Sequence, residues 1–408
     1  MSTSSPARLA AARALIAVEE GAHLDQALVA ASVAGADRDL AWFLAYGVTR
    51  RRGEVDAALR PRLTRPLTGL DPAVRAVLRL GAFERLFART RPHAAVHQAV
   101  EVMKAIGPKR ASGLVNAVMR RVGPAKNLRE AESHNLPDWL WERWVERYGA
   151  EAAAAWATEA AEPPPLFVVA RDPEQPLAAE ERPDELAPLP ALAGVYRSGA
   201  SSARVESWRG YEAGAWWIQD AAAVQMADLV QEAKGLHILD AFAAPGAKAF
   251  RLVSRGARVH AVDRDEDRLA KVREGAARLN LSVETTCHDW TSGTGALSPD
   301  YDVVLADAPC TALGTLRRHP EVRWRRQPAD LEHLAKRQRS LLATVSQLVR
   351  PGGALVYAVC SPEPEEGAEV IADFVAAHPM FRVEATRETA PPTQGEDAHF
   401  GCRLRRAT

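Results

Sequence analysis

The chain has 408 residues, 47% hydrophobic and 25% charged, the make-up of a folded globular protein too long for one core of ordinary size. Lys+Arg and Asp+Glu balance at 52 each, which excludes a uniformly basic nucleic-acid coat and leaves local patches to be sought along the chain. Cys287, Cys310, Cys360 and Cys402 are widely spaced with no C-x-x-C pair, so no metal site and no disulfide framework are expected, and the thiols read as free in a reducing cytosol.

The opening "MSTSSPARLAAARALIAVEEG" meets acidic residues before any apolar run long enough for a signal peptide or a membrane span. A cytoplasmic protein without membrane association is expected. From residue 6 to about 122, apolar residues recur at i, i+3, i+4 in "ARLAAARALIAVEEG", "RDLAWFLAYGVTRRRGEVDAALRP", "DPAVRAVLRLGAFERLF" and "HAAVHQAVEVMKAIG", which predicts an all-α domain of five to seven helices. Gly35, the "RPLTGLDP" turn, Arg91 with Pro92, and Gly107 with Pro108 are the expected breaks. "AKNLREAESHNLPDW" reads as a polar connector. Between about 135 and 232, a helix at "PDWLWERWVERYG", a proline brake at "EPPPL" and strand-like "LFVVA" and "AGVYRSG" indicate a small α+β domain. From Gly235, strand runs ("GLHILDAFA", "ARVHAVD", "SVETTCHD", "YDVVLADAP", "GALVYAVC") alternate with helical ones. That alternation predicts a mostly parallel, doubly wound sheet whose ligands sit at the carboxyl ends of the strands. The expected domains are residues 1–125, 126–232 and 233–408.

Acids and cysteines fall at those strand ends. Asp240 ends the first strand before the small-residue loop "FAAPGAK", where backbone can approach a ligand at a helix N-terminus. Asp263 ends the next strand, near the spacing of about 20 residues at which an acid meets a ribose hydroxyl. Taken alone it reads equally as the N-cap of the following helix, and Asp289 in "CHDW" as a turn residue. G-x-G-x-x-G is absent, which disfavours a pyrophosphate-bearing cofactor. Cys310 in "DAPC" and Cys360 in "AVCS" stand where strands give way to loops at one edge, whereas Cys287 and Cys402 lack such context and read as structural. Beside Cys310, "RRHPEVRWRR" sets Arg317, Arg318, Arg323, Arg325 and Arg326 against a single Glu321. Such a cluster suits phosphate binding and base stacking, so Arg317, Arg318, His319, Arg323 and Trp324 are expected RNA contacts. A second basic patch, Arg50, Arg51, Arg52, Arg60, Arg62 and Arg65, lies in the helical region.

"DAFAAPGAK", "AVDRDEDRL", "DAPCTALGTLRRHPEVRW" and "LVYAVCSPEPEEGAEVI" resemble, in this order, the signature motifs of RNA cytosine-C5 methyltransferases that use S-adenosylmethionine. The helical N-terminus, with "AYGVTR", "HAAVHQAVE" and "GLVNAVMRR", resembles the NusB-like RNA-binding domain of the RsmB (Sun/Fmu) branch, whose members modify small-subunit ribosomal RNA. The resemblance spans nearly the whole chain. It implies a multi-domain, cytoplasmic, monomeric enzyme acting on 16S rRNA: an all-α NusB-like domain, a small α+β connecting domain and an α/β Rossmann-like methyltransferase domain. By that resemblance Phe242, Ala243, Ala244, Pro245, Gly246, Ala247 and Lys248 wrap the methionine part of the cofactor. Asp263 and Arg268 meet its ribose, Asp289 its adenine, and Asp307 borders the same site.

Cytosine C5 is a poor nucleophile, and a thiolate adding to C6 makes it enamine-like. The reaction therefore needs a thiolate, a group at N3 and a base for the C5 proton. The resemblance assigns Cys360 as nucleophile, Cys310 to product release, Asp307 to N3 and Lys248 to the ring oxygen. The residues alone do not rank the two cysteines, and in DNA cytosine methyltransferases the Pro-Cys cysteine attacks. The chain departs from the family at Ala247, where a second glycine is usual, and at Ala249 and Val359, where threonine is. If position 247 needs φ > 0, alanine costs roughly 1 kcal/mol and weakens cofactor binding several-fold. Two rivals remain: an RNA-binding or ribosome-assembly protein that has lost turnover, and a nicotinamide oxidoreductase, disfavoured by the missing glycine fingerprint.

Overall fold

The structure, a computed structural model, describes residues 5–88, 90–199, 204–389 and 395–408. It divides into two compact units, Met1–Glu162 with Leu316–Arg326, and Pro163–Thr315 with Gln327–Thr408. This differs from the three-part expectation. The connector helices belong with the N-terminal helices, the small sheet belongs with the catalytic sheet, and the arginine-rich segment leaves the second unit for the first.

In the first unit, the expected helical region holds seven α-helices among the described residues: Pro6–Glu19, Leu24–Ala30, Gly35–Arg50, Arg52–Leu59, Pro72–Leu86, Pro92–Ile106 and Ser112–Arg121. Proline at the first turn starts three of them, where its missing N–H has no intrahelical partner to lose. Asp71 caps the fifth by accepting from Ala73 N at 2.9 Å. That helix is the hub, with Val74, Val77, Leu78, Leu80 and Phe83 all buried. Gly47 packs so tightly on it that an added Cβ would lie 2.1 Å from the Phe83 ring. Gly35 does not break a helix; it opens the third one. Helices Asp138–Tyr148 and Ala150–Ala161 follow, locked by Trp144 stacked on Trp156 with ring centroids 3.5 Å apart. Burying those two indoles gives the connector a core in the helical unit.

The second unit opens with a four-stranded antiparallel sheet of β1 (Phe167–Ala170), β2 (Leu186–Pro188), β3 (Val195–Ser198) and β4 (Trp216–Ile218), ordered β2-β3-β1-β4. The main sheet holds β5 (His237–Asp240), β6 (Arg258–Asp263), β7 (Glu284–Cys287), β8 (Tyr301–Asp307), β9 (Val349–Val359), β10 (Phe381–Thr389) and β11 (His399–Arg406). Its order is β10-β11-β9-β8-β5-β6-β7. The five strands from β9 to β7 are parallel, as the alternation predicts, while β11 and β10 add an antiparallel edge. The chain runs outward from β5 to β7 and returns to the other side of β5 as β8, which makes the β5/β8 boundary the switch point where such sheets bind ligands. Asp307 of β8 pairs with Ala358 of β9. Cys310 and Cys360 therefore leave the sheet side by side.

Candidate active site

At the carboxyl end of β5 the chain turns through Phe242–Gly246 into the helix Ala247–Ser254. Gly246 takes φ +113 at the N-cap, and a Cβ there would meet the Phe250 ring at 2.6 Å. Ala247 is helical, so the position that needs a positive φ already has its glycine. The expected strain at Ala247 does not exist. Ala249 is wholly buried in the apolar core.

Asp263 is 5% exposed, and its two oxygens accept from Ala244 N at 3.2 Å and Asp265 N at 3.1 Å. It is not the helix N-cap; Asp265 is, accepting from Arg268 N at 3.0 Å. The Asp263 carboxylate instead ties the loop after β5 to the turn after β6. Arg268 reinforces the tie, 3.6 Å from Asp263 and donating to the Ala244 carbonyl. Asp289 caps its own turn by accepting from the Thr291 N–H and hydroxyl, both at 2.9 Å, and those bonds hold its carboxyl below the usual range. Both aspartates line one cavity of about 240 Å³ with Phe242, Asp307, Cys310 and Cys360.

The chemical groups gather at the other end of that cavity. Cys310 and Cys360 Sγ are 3.3 Å apart, and Lys248 Nζ lies 2.6 Å from Asp307 Oδ2. Lys248 is thus not a solvated lysine at a helix start. Burial favours its neutral form, but the charge and hydrogen bond of Asp307, with the nearby Cys360 and Asp240, outweigh burial and raise its pKa. The Cys310 thiol is pushed well up, first by its hydrogen bond with Cys360 and then by burial. Asp240 is wholly buried, and burial together with the charge of Asp307 pushes it up to about 7. Val359 is wholly buried in the apolar core, where its methyl takes the place of a threonine hydroxyl at nearly equal volume.

Sequence reasoning missed the support behind the cysteines. Glu366, fully buried, accepts from Thr311 N at 2.8 Å, from the Thr311 hydroxyl and from Gln338 Nε2 at 3.0 Å. Gln338 also donates to the Pro309 carbonyl at 3.0 Å, and Thr311 Oγ1 lies 3.2 Å from Ser361 Oγ. One buried carboxylate thereby joins the residue after Cys310 to the residue after Cys360. No local signal in "EPEEG" marks Glu363 and Glu366 as buried.

The arginine segment overturns an expectation. Arg323 is 0% exposed and donates to the carbonyls of Ala160, Leu316 and Asn135 at 2.8, 2.9 and 3.3 Å. Trp324 donates to the Thr49 carbonyl at 2.8 Å, with Arg52 over its ring at 5.1 Å. Arg317 pairs with Glu159 at 3.0 Å, His319 faces Glu321, and Arg318 is half-buried. These side chains hold the segment inside the helical unit, and Arg323 presents no surface for phosphate. In the second patch Arg50 is likewise turned inward, onto the Arg317 carbonyl at 2.9 Å, while Arg60, Arg62 and Arg65 are exposed.

Residues 227–404 match the family model described as 16S rRNA methyltransferase RsmB/F, and residues 5–124 match the NusB family. Ribosomal RNA small subunit methyltransferase B of Thermus thermophilus is 36% identical over 421 residues, spanning 100% of this chain and 99% of that protein. The chain belongs to the ribosomal RNA small subunit methyltransferase B family. Members are S-adenosylmethionine-dependent methyltransferases, and S-adenosylmethionine is the cofactor here. The fold is also that of PH0851, 21% identical with a TM-score of 0.84 over 99% of both chains. NSun6 from Pyrococcus horikoshii, solved with SFG, is 17% identical with a TM-score of 0.57 over 67% of this chain and 98% of its own. The donor set fits the cofactor: a buried carboxylate for ribose hydroxyls, the apolar Trp290 and Leu341 in the cavity wall, and no glycine cradle for a pyrophosphate. Among the described residues no helix is long and apolar enough to cross a membrane.

Proposed function

We propose that the protein methylates C5 of a cytosine in small-subunit (16S) ribosomal RNA through a covalent bond between Cys360 and C6. The observation that carries this reading is the thiol pair, 3.3 Å apart, in the same cavity as Asp263 and as Asp307, which pairs with Lys248 behind the wall. S-adenosylmethionine supplies the electrophilic methyl group. Asp263 and Arg268 take the ribose side, Asp289 the adenine side, and the Phe242–Lys248 loop the methionine side. The enzyme acts as a monomer in the cytoplasm, with the exposed Arg62 and Arg65 gripping RNA phosphates.

The two thiols are not equivalent. Cys310 is held as a thiol, whereas the Cys360 sulfur lies close enough to the Lys248 ammonium to act on its charge. The thiolate is the nucleophile in such additions, and a cation beside the sulfur can stabilise the charge it carries as a leaving group. The Cys360 thiolate forms the S–C6 bond and pushes an electron pair from the C5=C6 bond toward N3 and O2. Lys248 donates to the ring oxygen, where its ammonium stabilises the displaced charge, and Asp307 orients that ammonium from the N3 edge of the base. C5 then carries the electron pair that bonds the methyl group. For release, Cys310 passes its proton to the departing Cys360 sulfur and takes the C5 proton in its place, restoring both thiols and the aromatic ring. The target must be unpaired or flipped, since attack comes from above the ring plane.

Cys310→Ala and Cys360→Ala, each incubated with labelled RNA and S-adenosylmethionine, test the assignment on a denaturing gel. Cys310→Ala should give a slowly migrating protein–RNA band and Cys360→Ala none. An adduct in Cys360→Ala alone would assign the attack to Cys310, and methylation surviving either change without an adduct would remove covalent catalysis by this pair.

A further inference from the structure

Away from the methyl-transfer cavity, His23, His319 and Glu321 converge within the helical unit, with one potential ligand atom of each within 4.8 Å of the others. His23 is the N-cap residue of the helix Leu24–Ala30, and the other two come from the Leu316–Arg326 segment. The Glu321 side chain is 1% exposed. Its Oε1 accepts from Leu24 N at a long 3.4 Å and has His23 at its edge, while its Oε2 is buried with no hydrogen-bond partner. Leaving such an oxygen unsatisfied is costly, and buried carboxylates are ordinarily paired or bound to metal.

The histidines approach Oε1 and leave Oε2 unsatisfied. His23 Nδ1 and His319 Nδ1 lie 3.5 and 3.9 Å from Oε1, beyond a good hydrogen bond. They are, however, near the roughly 3.4 Å that separates two ligand atoms on a tetrahedron with bonds of about 2.1 Å to zinc. The rings meet edge to face with centroids 6.2 Å apart. Asp25, in the first turn of the same helix, also has a buried carboxylate oxygen without a partner, and its charge acts on His319.

We propose that His23, His319 and Glu321 bind one divalent transition-metal ion of the zinc type, with Asp25 or water as the fourth ligand. Two imidazoles with a carboxylate select zinc, cobalt or nickel over magnesium and calcium, which prefer all-oxygen shells. The ion closes the Leu316–Arg326 segment onto the start of the Leu24–Ala30 helix and takes no part in methyl transfer. No local spacing announces it, because the ligands come from opposite ends of the chain.

The test uses the full chain, stripped with chelator and titrated with Zn²⁺ and Co²⁺. One equivalent should bind, and the Co²⁺ form should show a ligand-field spectrum without a thiolate charge-transfer band. His319→Ala and Glu321→Gln should each weaken binding roughly tenfold or more, and Zn²⁺ should raise the melting temperature of the parent chain but not of His23→Ala. His23 has a half-exposed side chain, so that variant folds, and its S-adenosylmethionine binding serves as the check. Binding lost in a Cys310→Ser/Cys360→Ser double variant but kept in the histidine variants would place the metal on the thiols and overturn the proposal. Absence of stoichiometric binding by the parent chain would overturn it too, leaving Glu321 as a cap for the helix at Leu24.

Discussion

Arg323→Ala distinguishes an arginine that builds the fold from one that grips RNA. The guanidinium is fully buried, burial pushes its pKa down to about 9, and it donates to three main-chain carbonyls at 2.8, 2.9 and 3.3 Å. Alanine removes all three donors and leaves the space empty. A hydrogen bond involving a charged group contributes roughly 1.5–3 kcal/mol, so the two short ones give about 3–6 kcal/mol gross. Removing a buried charge works in the other direction, which leaves a net loss of about 2–4 kcal/mol. Arg62→Ala/Arg65→Ala is the contrasting pair: both side chains are exposed, so each change should move stability by no more than about 0.5 kcal/mol. RNA affinity should fall, with the salt slope reduced by about one for each phosphate that is no longer held. Urea denaturation followed by circular dichroism reads the first effect, and RNA binding across a salt series the second. If Arg323→Ala keeps the parent midpoint while its salt slope drops by about one, the arginine is on phosphate and the burial argument is wrong.

Two further outcomes follow from single side chains. Asp263→Ala removes the acceptor for Ala244 N and Asp265 N together with the proposed ribose acceptor; a loss of about 1–3 kcal/mol lowers S-adenosylmethionine affinity by roughly fivefold to 150-fold. Calorimetric titration giving the parent affinity would refute the ribose role. His399 has its pKa lowered to about 4, first by burial and then by the Lys248 charge, so the folded state binds fewer protons than the unfolded state between about 4 and 6.5. Stability is therefore full above about pH 6.5 and falls as pH drops toward 4, by at most roughly 3 kcal/mol. His399→Gln should flatten that decline in denaturation measured across the range, and an unchanged decline would assign it to other groups.

What the sequence made legible was what local periodicity encodes. "YDVVLADAP" and "GALVYAVC" are continuous apolar runs because β8 and β9 are covered on both faces, so their ends, and with them Cys310 and Cys360, are readable from the letters alone. β10 is not. It is an edge strand with only Phe381 and Thr389 buried, and its charged interior carries no alternation to detect. β11, buried along most of its length, is just as charged to the eye because Arg403 is folded in against the carbonyls of Leu229 and Val230. Arg323 hides for the same reason. Main-chain carbonyls have no residue type, so a pocket built from them leaves no trace in sequence, and a buried arginine looks like a basic patch.

That limit also explains why adjacency to Cys310 misled. The segment Leu316–Arg326 follows the cysteine loop along the chain but packs in the other compact unit, so nearness in sequence to the thiol says nothing about sharing its task. The cysteines show the converse case. As letters at two strand ends they are equivalent, and only their surroundings differ: Cys310 keeps its proton against Cys360, with Thr311 anchored on the buried Glu366, while Cys360 has the Lys248 ammonium within electrostatic reach. Distinct chemistry from two identical side chains requires such an asymmetry. Its sources, Lys248 on the helix after β5 and Glu366 beyond β9, are brought together only by the parallel order β9-β8-β5. The proposed division of labour between the thiols therefore depends on the sheet, and Glu366→Gln, which alters the buried anchor without touching either sulfur, should disturb it at Cys310 first.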